Sequence, residues 1–305
     1  MKRPLIHVGY HKAGSTWLQR VLFVAESSGY VVPFSRKLEV YPRLVLPHAL
    51  DFDVESNRRF FEWPETVGNR VPVITSEGLT GNPESGGYNS VEIAQRLKDV
   101  FDDARVLIVF REQKSMILSS YNQYLKSAGH ADLMTFLNQP IRPRGEPFFH
   151  LDYFRYDKLL RCYQETFGAE NVLALPLELL TQDQDEFVRR IASFSGANLS
   201  PTLPESQRMN ESWPELGIAM KRYLNPFIFS TILNGYSPLR IKGLWRLQVM
   251  FPRCFNRFLR NSLSARIRRR WQRQIEEATR GYYAESNRAT ADISGVDLAG
   301  MGYET

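Results

Sequence analysis

The residues from Gly9 to Trp17 have the types and the spacing of a loop that binds a phosphate group. They read Gly-Tyr-His-Lys-Ala-Gly-Ser-Thr-Trp and lie between a short apolar run and a stretch with apolar residues at helical spacing. A glycine-rich turn between a strand and a helix lets backbone N–H groups converge on an anion, and the helix N-terminus adds partial positive charge. Lys12 supplies a mobile cation, and Ser15 and Thr16 supply hydroxyl donors. The segment therefore predicts a phosphate site.

The spacing of the two glycines does not complete a nucleoside triphosphate loop. Gly9 and Gly14 match the first six positions of a Walker A motif, in which a lysine follows the second glycine. Here Ser15 stands at that position, and Lys12 precedes the second glycine instead. Taken alone, the segment could also be a tight turn in which Ser15 or Thr16 caps a helix without binding any ligand.

The segment 12–17, Lys-Ala-Gly-Ser-Thr-Trp, resembles the phosphosulfate-binding loop of sulfotransferases that use 3′-phosphoadenosine 5′-phosphosulfate (PAPS). The usual run in that family is Lys-Ser-Gly-Thr-Thr-Trp. The resemblance implies a cofactor site formed by Lys12, Ala13, Gly14, Ser15, Thr16 and Trp17. It implies that Lys12 reaches the bridging oxygen and the 5′-phosphate, that the next glycine and hydroxyls cradle this phosphate, and that Trp17 lies near the adenine. Ala13 departs from the usual serine and removes one hydroxyl.

Members of this family also carry a 3′-phosphate site, formed by an arginine at the end of a central strand and a serine eight residues later. Arg111 ends a predicted strand here and Ser119 follows it by eight residues, with Ser120 as a one-residue alternative. A terminal phosphate dianion favours a bidentate guanidinium together with a hydroxyl donor. The resemblance therefore implies that Arg111 and Ser119 bind the 3′-phosphate. The alternative is that Arg111 pairs with a carboxylate and Ser119 is a solvated helix residue.

Glu77 is the candidate catalytic base, with Lys12 as the residue that stabilises the leaving phosphate. Sulfuryl transfer needs an acceptor hydroxyl or amine, a base for its proton and cations for the developing charge, and it requires no metal. Glu77 follows a predicted strand, at the edge where open α/β sheets place their ligands. It also resembles the strand-end glutamate that is the base in the glycan branch of the family, whereas the small-molecule branch uses a histidine. Alternatively, Glu77 caps a turn or pairs with a nearby arginine.

Histidines compete with Glu77 for the role of base. His11 lies within the loop and could donate to sulfonate oxygens or fill the turn, whereas His7 alternates within a strand and is expected to be structural. His48 and His150 fall in predicted loops, and His150 has aromatic neighbours that could line an acceptor pocket.

Strands and helices alternate along the first 200 residues. The β-rich runs are 5–9, 30–32, 71–75, 106–110 and 172–176. The helical patterns are 16–26, 90–100, 115–128, 157–167 and 185–194. This order predicts an α/β fold with a central parallel sheet flanked by helices, and the resemblance implies the sulfotransferase form of the P-loop-NTPase-like fold. We predict a single domain, 1–305, with an α/β core at 1–200 and a helical, basic C-terminal portion at 201–305.

The composition and the distribution of charge restrict the location and the partners. The chain has 305 residues, 43% of them hydrophobic, only two cysteines and a net charge of +6, which predicts a folded protein of a reducing compartment. No signal peptide or membrane span is predicted, so we expect a cytoplasmic protein. Eleven Arg or Lys residues and no acidic residue fall within 240–273. This region predicts an anionic partner, for example the inner face of a membrane or an acidic substrate, or else it is a solvated basic face.

These observations lead to one function and two alternatives. The first is PAPS-dependent transfer of a sulfuryl group to a hydroxyl or amine, with a carbohydrate or glycolipid as the expected acceptor. The second is an ATP- and magnesium-dependent phosphotransferase in which Lys12 replaces the Walker lysine. The third is a basic protein that binds membranes or nucleic acid through residues 240–273, although no recognised nucleic-acid module is present and no nucleic-acid partner is expected.

Overall fold

A five-stranded parallel sheet forms the centre of the molecule. The structure is a computed structural model that describes residues 3–139, 148–198, 214–228 and 262–305. The strands are β1 (Leu5–Gly9), β2 (Tyr30–Val31), β3 (Val71–Thr75), β4 (Arg105–Phe110) and β5 (Val172–Pro176). Their order across the sheet is β2-β3-β1-β4-β5, and every neighbouring pair is parallel. All five strands lie where the sequence predicted them, to within one residue.

The central strand β1 lies between β3 and β4. Leu5 is in register with Val73 on one side and with Arg105 on the other. All five residues of β1 are buried, as are all five of β3, which is typical of a parallel sheet covered on both faces. His7 is the polar exception in β1, and it is in register with Thr75, the last residue of β3.

The α-helices surround this sheet and extend from it. They are α1 (Ser15–Trp17), α2 (Tyr41–Leu44), α3 (Val54–Phe60), α4 (Ser90–Val100), α5 (Gln113–Lys126), α6 (Leu133–Leu137), α7 (Tyr156–Phe167), α8 (Leu177–Gln182), α9 (Gln184–Ser195), α10 (Glu215–Ile228), α11 (Ser262–Thr279) and α12 (Ala284–Ser294). Two π-helical turns, Leu18–Leu22 and Arg36–Val40, and a 3₁₀ turn, Glu77–Thr80, complete the elements that bear on the site.

The described residues divide into two compact units. The first unit, 3–112, 151–198 and 281–305, contains the whole sheet. In it, α7 packs on β4 and β5, α12 packs on α7 and β5, and α4 packs on α7. The amphipathic pattern of α7 explains its position, because Leu159, Leu160, Tyr163 and Phe167 fall on one face and are buried.

The second unit contains α5, α6, α10 and α11, from residues 113–139, 148–150, 214–228 and 262–280. The rings of Tyr121 on α5 and Trp271 on α11 meet edge to face at 5.2 Å. From α10, the buried Asn225 donates from Nδ2 to the carbonyl of Leu125, and Lys221 donates to the carbonyl of Lys126. A single domain with a core at 1–200 and a helical portion at 201–305 stays a prediction. In the structure, residues 281–305 belong to the unit that contains the sheet.

Two segments differ from the sequence-based expectation. The helix predicted at 16–26 is α1 followed by a π-helical turn that ends at Leu22. Phe23 closes this turn by donating its N–H to the carbonyl of Leu18, and its ring then packs against His7 and Tyr30. The Gly- and Pro-containing segment 81–87 is typical of a surface loop, but in the structure it is partly buried, and a Cβ at Gly87 would lie only 2.3 Å from the ring of Tyr153.

Some predictions fall outside the described residues. They concern one of the two cysteines, Cys254, and the basic region 240–273 as far as residue 261. Of that basic region, residues 262–273 are described and belong to α11.

Candidate active site

The loop after β1 has the backbone of an anion-binding turn. Lys12 and Gly14 both have positive φ angles, of 68° and 81°. Lys12 is a lysine in a conformation that L-residues seldom adopt, and its side chain is exposed. Gly14 admits no side chain, because a Cβ there would lie 2.6 Å from Cδ1 of Leu177. The turn exposes the first amides of the helical segment, which have no intrahelical acceptors.

Several buried polar atoms around this loop have no hydrogen-bond partner among the described residues. They are Nε2 of His7, Nε2 of His11, Oγ of Ser15 and Nε1 of Trp17. An unsatisfied buried polar atom destabilises the fold by about 1–3 kcal/mol, so folded proteins place such groups where a ligand or water completes them. The hydroxyl of Ser15 and the indole N–H of Trp17, together with the exposed amine of Lys12, are donors that fit a phosphate-bearing cofactor.

Tyrosines fix the loop to the turn that follows β3. The ring of Tyr10 packs between Tyr153 and Tyr156, with centroids at 5.1 Å and 4.8 Å, and its hydroxyl donates to the carbonyl of Tyr153. The hydroxyl of Tyr153 in turn donates to Oγ1 of Thr80, 2.9 Å away, and to the carbonyl of Gly81. The sequence analysis did not identify Tyr153 as a residue that joins the two loops.

Glu77 lies in the 3₁₀ turn immediately after β3 and forms an ion pair with Arg36. Nη1 of Arg36 donates to both carboxylate oxygens, at 2.8 Å and 3.0 Å. Burial disfavours the charged carboxylate, but a backbone hydrogen bond, the Arg36 guanidinium and the two nearby histidines outweigh it, so the pKa of Glu77 is below its ordinary value of 4.5. The structure therefore contains the ion pair with a nearby arginine that was the alternative expectation for Glu77. The low pKa means that Glu77 is ionised at neutral pH.

The two histidines next to this carboxylate are neutral at pH 7. Burial lowers the pKa of His7 to about 4, despite the opposing charge of Glu77. Burial also lowers the pKa of His11, with Lys12 adding to the effect, while Glu77 and a hydrogen bond to the backbone of Gly81 oppose it. His11 thus lies close enough to both Glu77 and Lys12 for their charges to shift its pKa.

The predicted 3′-phosphate residues lie in different units. Arg111 directly follows β4, so it starts from the same edge of the sheet as the loop and Glu77. Its carbonyl accepts a hydrogen bond from the hydroxyl of Tyr156. Ser119 and Ser120 lie on α5 in the second unit, where Ser120 is the more buried of the two. The pairing of Arg111 with Ser119 stays a prediction.

The described part of the basic C-terminal region is one face of α11. Arg266, Arg269, Arg270 and Arg273 recur at helical spacing and are exposed, whereas Trp271 is buried. Within the part of the chain that the structure describes, no helix is long and apolar enough to cross a membrane. In the same residues, His, Cys, Asp and Glu side chains form no group of three or more that could hold a metal ion.

A comparison with models of protein families identifies the family of this chain. Residues 2–235 match the family model described as a sulfotransferase domain. The chain belongs to the sulfotransferase family. Among curated proteins, no significant match to this sulfotransferase is found.

Several solved sulfotransferase structures are similar to this chain. A sulfotransferase from Alicyclobacillus acidocaldarius is 20% identical, with a TM-score of 0.50, and the match covers 74% of this chain and 93% of that one. The sulfotransferase domain from the curacin biosynthetic pathway is 14% identical, with a TM-score of 0.44, over 66% of this chain and 76% of that one. A mouse sulfotransferase complexed with PAP is 15% identical, with a TM-score of 0.36, over 88% and 89% of the two chains. The family match and the similarity to the Alicyclobacillus structure show that the parallel sheet flanked by helices is the P-loop-like fold of the sulfotransferases, as the sequence predicted.

Proposed function

We propose that this sulfotransferase uses PAPS as its donor and transfers the sulfuryl group to a hydroxyl or amine at the carboxyl edge of the sheet. The observation that carries the proposal is the group of unpartnered buried donors around the loop, next to an ionised glutamate. The loop offers donors to a phosphate, and the glutamate offers an acceptor for a proton. Both lie at the edge of the sheet where ligands of this fold class bind.

The residues of the loop have separate parts in phosphate binding. Bound PAPS would supply an activated sulfuryl group on its 5′-phosphate. The hydroxyls of Ser15 and Thr16 and the first amides of the helical segment hold that phosphate. Lys12, whose exposed side chain extends from the left-handed turn, would stabilise the negative charge of the leaving phosphate. These groups act without a metal ion.

Glu77 is the proposed base. It is already deprotonated at neutral pH, and it takes the proton of the acceptor hydroxyl while that oxygen forms its bond to sulfur. Arg36 holds the carboxylate in place through Nη1. His11 is the alternative base, because it is neutral at pH 7 and lies beside both Glu77 and Lys12.

The rest of the cofactor is assigned to the second predicted motif. Arg111 and Ser119 would bind the 3′-phosphate, and Trp17 would lie near the adenine. The position of Arg111 at the end of β4 supports this assignment. A bidentate guanidinium recognises a phosphate dianion by shape as well as by charge.

For the acceptor we propose a carbohydrate or glycolipid hydroxyl. The proposal rests on a glutamate, rather than a histidine, at the end of β3, and on the exposed arginines of α11, which suit an acidic glycan or a membrane surface. A cytoplasmic location, in contact with the inner face of the membrane, stays a prediction.

Thermal unfolding with two competing ligands tests the donor. Adenosine 3′,5′-bisphosphate is expected to raise the Tm of the wild type in the presence of EDTA, because a ligand that binds only the folded state stabilises it. The shift is expected to shrink in Lys12→Ala and to persist in the control Lys98→Ala, whose lysine lies on α4 near the opposite edge of the sheet. Stabilisation by ATP with magnesium, and none by the bisphosphate, would favour the phosphotransferase alternative and refute the proposal.

A further inference from the structure

A chain of side-chain hydrogen bonds runs from the Glu77–Arg36 pair to the buried His7 in β1. Nη1 of Arg36, which also binds Glu77, donates to Oε1 of Gln19. Nε2 of Gln19 donates to Oγ1 of Thr75, 3.0 Å away. Oγ1 of Thr75 lies 2.8 Å from Nδ1 of His7. The parallel register of β1 and β3 produces the last contact, because it places His7 directly opposite Thr75.

The chemistry of the first residue fixes the direction of the whole chain. A guanidinium can only donate, so Gln19 must present its oxygen to Arg36 and its NH₂ group to Thr75. The Thr75 oxygen therefore accepts from Gln19. Because Thr75 is buried and a buried hydroxyl proton needs an acceptor, Thr75 donates to Nδ1 of His7 rather than accepting a second hydrogen bond from it. Gln19 and Thr75 thus each accept a hydrogen bond on the side of Arg36 and donate one on the side of His7.

The same logic fixes the proton on His7. Because Nδ1 accepts from Thr75, the proton of the neutral imidazole must be on Nε2. The imidazole is neutral because burial lowers its pKa to about 4. His7 thus ends the chain with a buried N–H donor, and Nε2 has no partner among the described residues.

This donor faces the phosphate loop. His7 and Gly9 lie on the same side of β1, and a Cβ at Gly9 would lie 2.8 Å from Nε2 of His7 and 2.7 Å from Oγ of Ser15. Both atoms line the small space that the missing side chain of Gly9 leaves, and both are buried without a partner. A hydroxyl that accepts from an N–H donor on one side has its proton free for the other side.

We infer that His7 is a positioning residue of the phosphate loop: when an anion binds in the loop, the Ser15 hydroxyl turns to accept from Nε2–H of His7 and directs its own proton towards the anion. In the structure the two atoms line the same space but do not form this hydrogen bond. The inference rests on the proposed function, because the anion is the 5′-phosphate of the donor. It gives His7 a role beyond the structural one expected from its position in a strand. It also connects the ion pair of the candidate base to the phosphate site through neutral side chains.

Nuclear magnetic resonance tests the direction of the chain without any ligand. In protein labelled with ¹⁵N-histidine, long-range ¹H–¹⁵N correlations separate the protonated from the unprotonated ring nitrogen, and His7→Asn assigns the signals. We expect Nδ1 of His7 to be unprotonated and Nε2 to be protonated at pH 7. In Thr75→Val, which keeps the shape and suits a strand, we expect a mixture of tautomers, and in Thr75→Ser the wild-type tautomer. A proton on Nδ1 in the wild type would overturn the inference.

Titration with adenosine 3′,5′-bisphosphate tests whether the chain reaches the loop. Thr75→Val is expected to weaken binding by roughly 3- to 10-fold, the effect of one misdirected hydrogen bond, and Thr75→Ser to stay within about 2-fold of the wild type. In a Ser15→Ala background the same Thr75→Val change should have no further effect, because the residue that carries the coupling is gone.

The outcomes separate the inference from the proposed function. A bisphosphate that binds the wild type but is insensitive to Thr75→Val would overturn the role of His7 and leave the function standing. An effect of Thr75→Val that persists at full size in Ser15→Ala would do the same. Failure of the wild type to bind the bisphosphate would refute the proposed function and with it the role of His7, whatever the tautomer.

Discussion

At the carboxyl edge of the sheet, buried polar atoms around the loop lack partners among the described residues, whereas two arginines at the amino edge are paired. At the amino edge, Arg3 binds Asp103 at 2.8 Å, and Arg58 donates to the carbonyl of Asp99. A cavity of about 480 Å³ opens there, lined in part by Phe61, Trp63 and Phe101. The carboxyl edge instead has the buried, unpartnered atoms of His11, Ser15 and Trp17.

The difference shows that cavity volume alone does not identify the candidate active site. The amino-edge cavity is lined by aromatic rings that pack against one another, and the rings of Trp63 and Phe101 stack with centroids 6.0 Å apart. Unsatisfied polar atoms and ionisable groups with shifted pKa values gather at the other edge, and these are the features that ligands and reactions use. The predictions below test this contrast.

The largest effect is expected at Lys12. Replacement of Lys12 by alanine should lower the rate of sulfuryl transfer by about 10²–10³-fold, because it removes the cation that stabilises the leaving phosphate. Replacement by glycine should be equally inactive but more stable than alanine by about 1 kcal/mol, since the φ of 68° suits glycine. Denaturant unfolding and a PAPS-based assay measure the two quantities. Retained activity in both variants would remove Lys12 from the mechanism.

Substitution of Glu77 should also lower the rate of sulfuryl transfer, but by less than substitution of Lys12. Glu77→Gln keeps the shape and removes the base, so kcat should fall by about 10²-fold with little change in the affinity for the bisphosphate. Because the pKa of Glu77 is below 4.5, the wild-type rate should stay level from pH 7 to about pH 5 and fall only at more acidic pH.

Arg36→Met sharpens this test. Loss of the guanidinium should raise the pKa of Glu77 and move the acidic fall in rate to higher pH. A wild-type rate that already falls near pH 6.5, with no change in Arg36→Met, would instead point to a histidine as the base.

Gly9→Ala should affect both stability and binding. Its methyl group would lie 2.7 Å from Oγ of Ser15 and 2.8 Å from Nε2 of His7, so one of them must move. We expect a loss of about 1–3 kcal/mol in the free energy of unfolding and weaker binding of the bisphosphate. Calorimetry and chemical unfolding measure these effects, and unchanged binding would mean that the space at Gly9 is not part of the phosphate site.

The smallest effect on activity is expected at the amino edge. Trp63→Ala removes one ring of the stacked pair and should destabilise the fold by about 1–2 kcal/mol. Affinity for the bisphosphate should stay unchanged, because the cavity lies at the opposite edge from the loop. A Trp63→Ala variant that folds but no longer binds the bisphosphate would show that the contrast between the two edges is wrong.

Local patterns predicted the strands and the loop, but they did not predict the groups that surround the site. Gly9, Lys12 and Gly14 follow one another in a short segment with a recognisable spacing, and Glu77 follows a clear apolar strand. Arg36 meets Glu77 across 41 residues of chain, and Gln19 meets Thr75 across 56, so only the tertiary structure brings these pairs together.

The region 36–60 shows the same limit in its secondary structure. The sequence analysis placed no helix there, whereas the structure has a π-helical turn, α2 and α3. These elements are short, and nucleation of a short helix is unfavourable without tertiary packing, so their local signal is weak. The ring of Phe34 packs against Phe60 and Phe61, contacts that no periodicity in the segment indicates.

Calorimetric titration with adenosine 3′,5′-bisphosphate in EDTA can show at which edge of the sheet the nucleotide binds, if it is carried out on the wild type, Lys12→Ala and Trp63→Ala. We expect one site per chain in the wild type, a large loss of affinity in Lys12→Ala and unchanged affinity in Trp63→Ala. Affinity that survives in Lys12→Ala and disappears in Trp63→Ala would instead place the nucleotide at the amino edge.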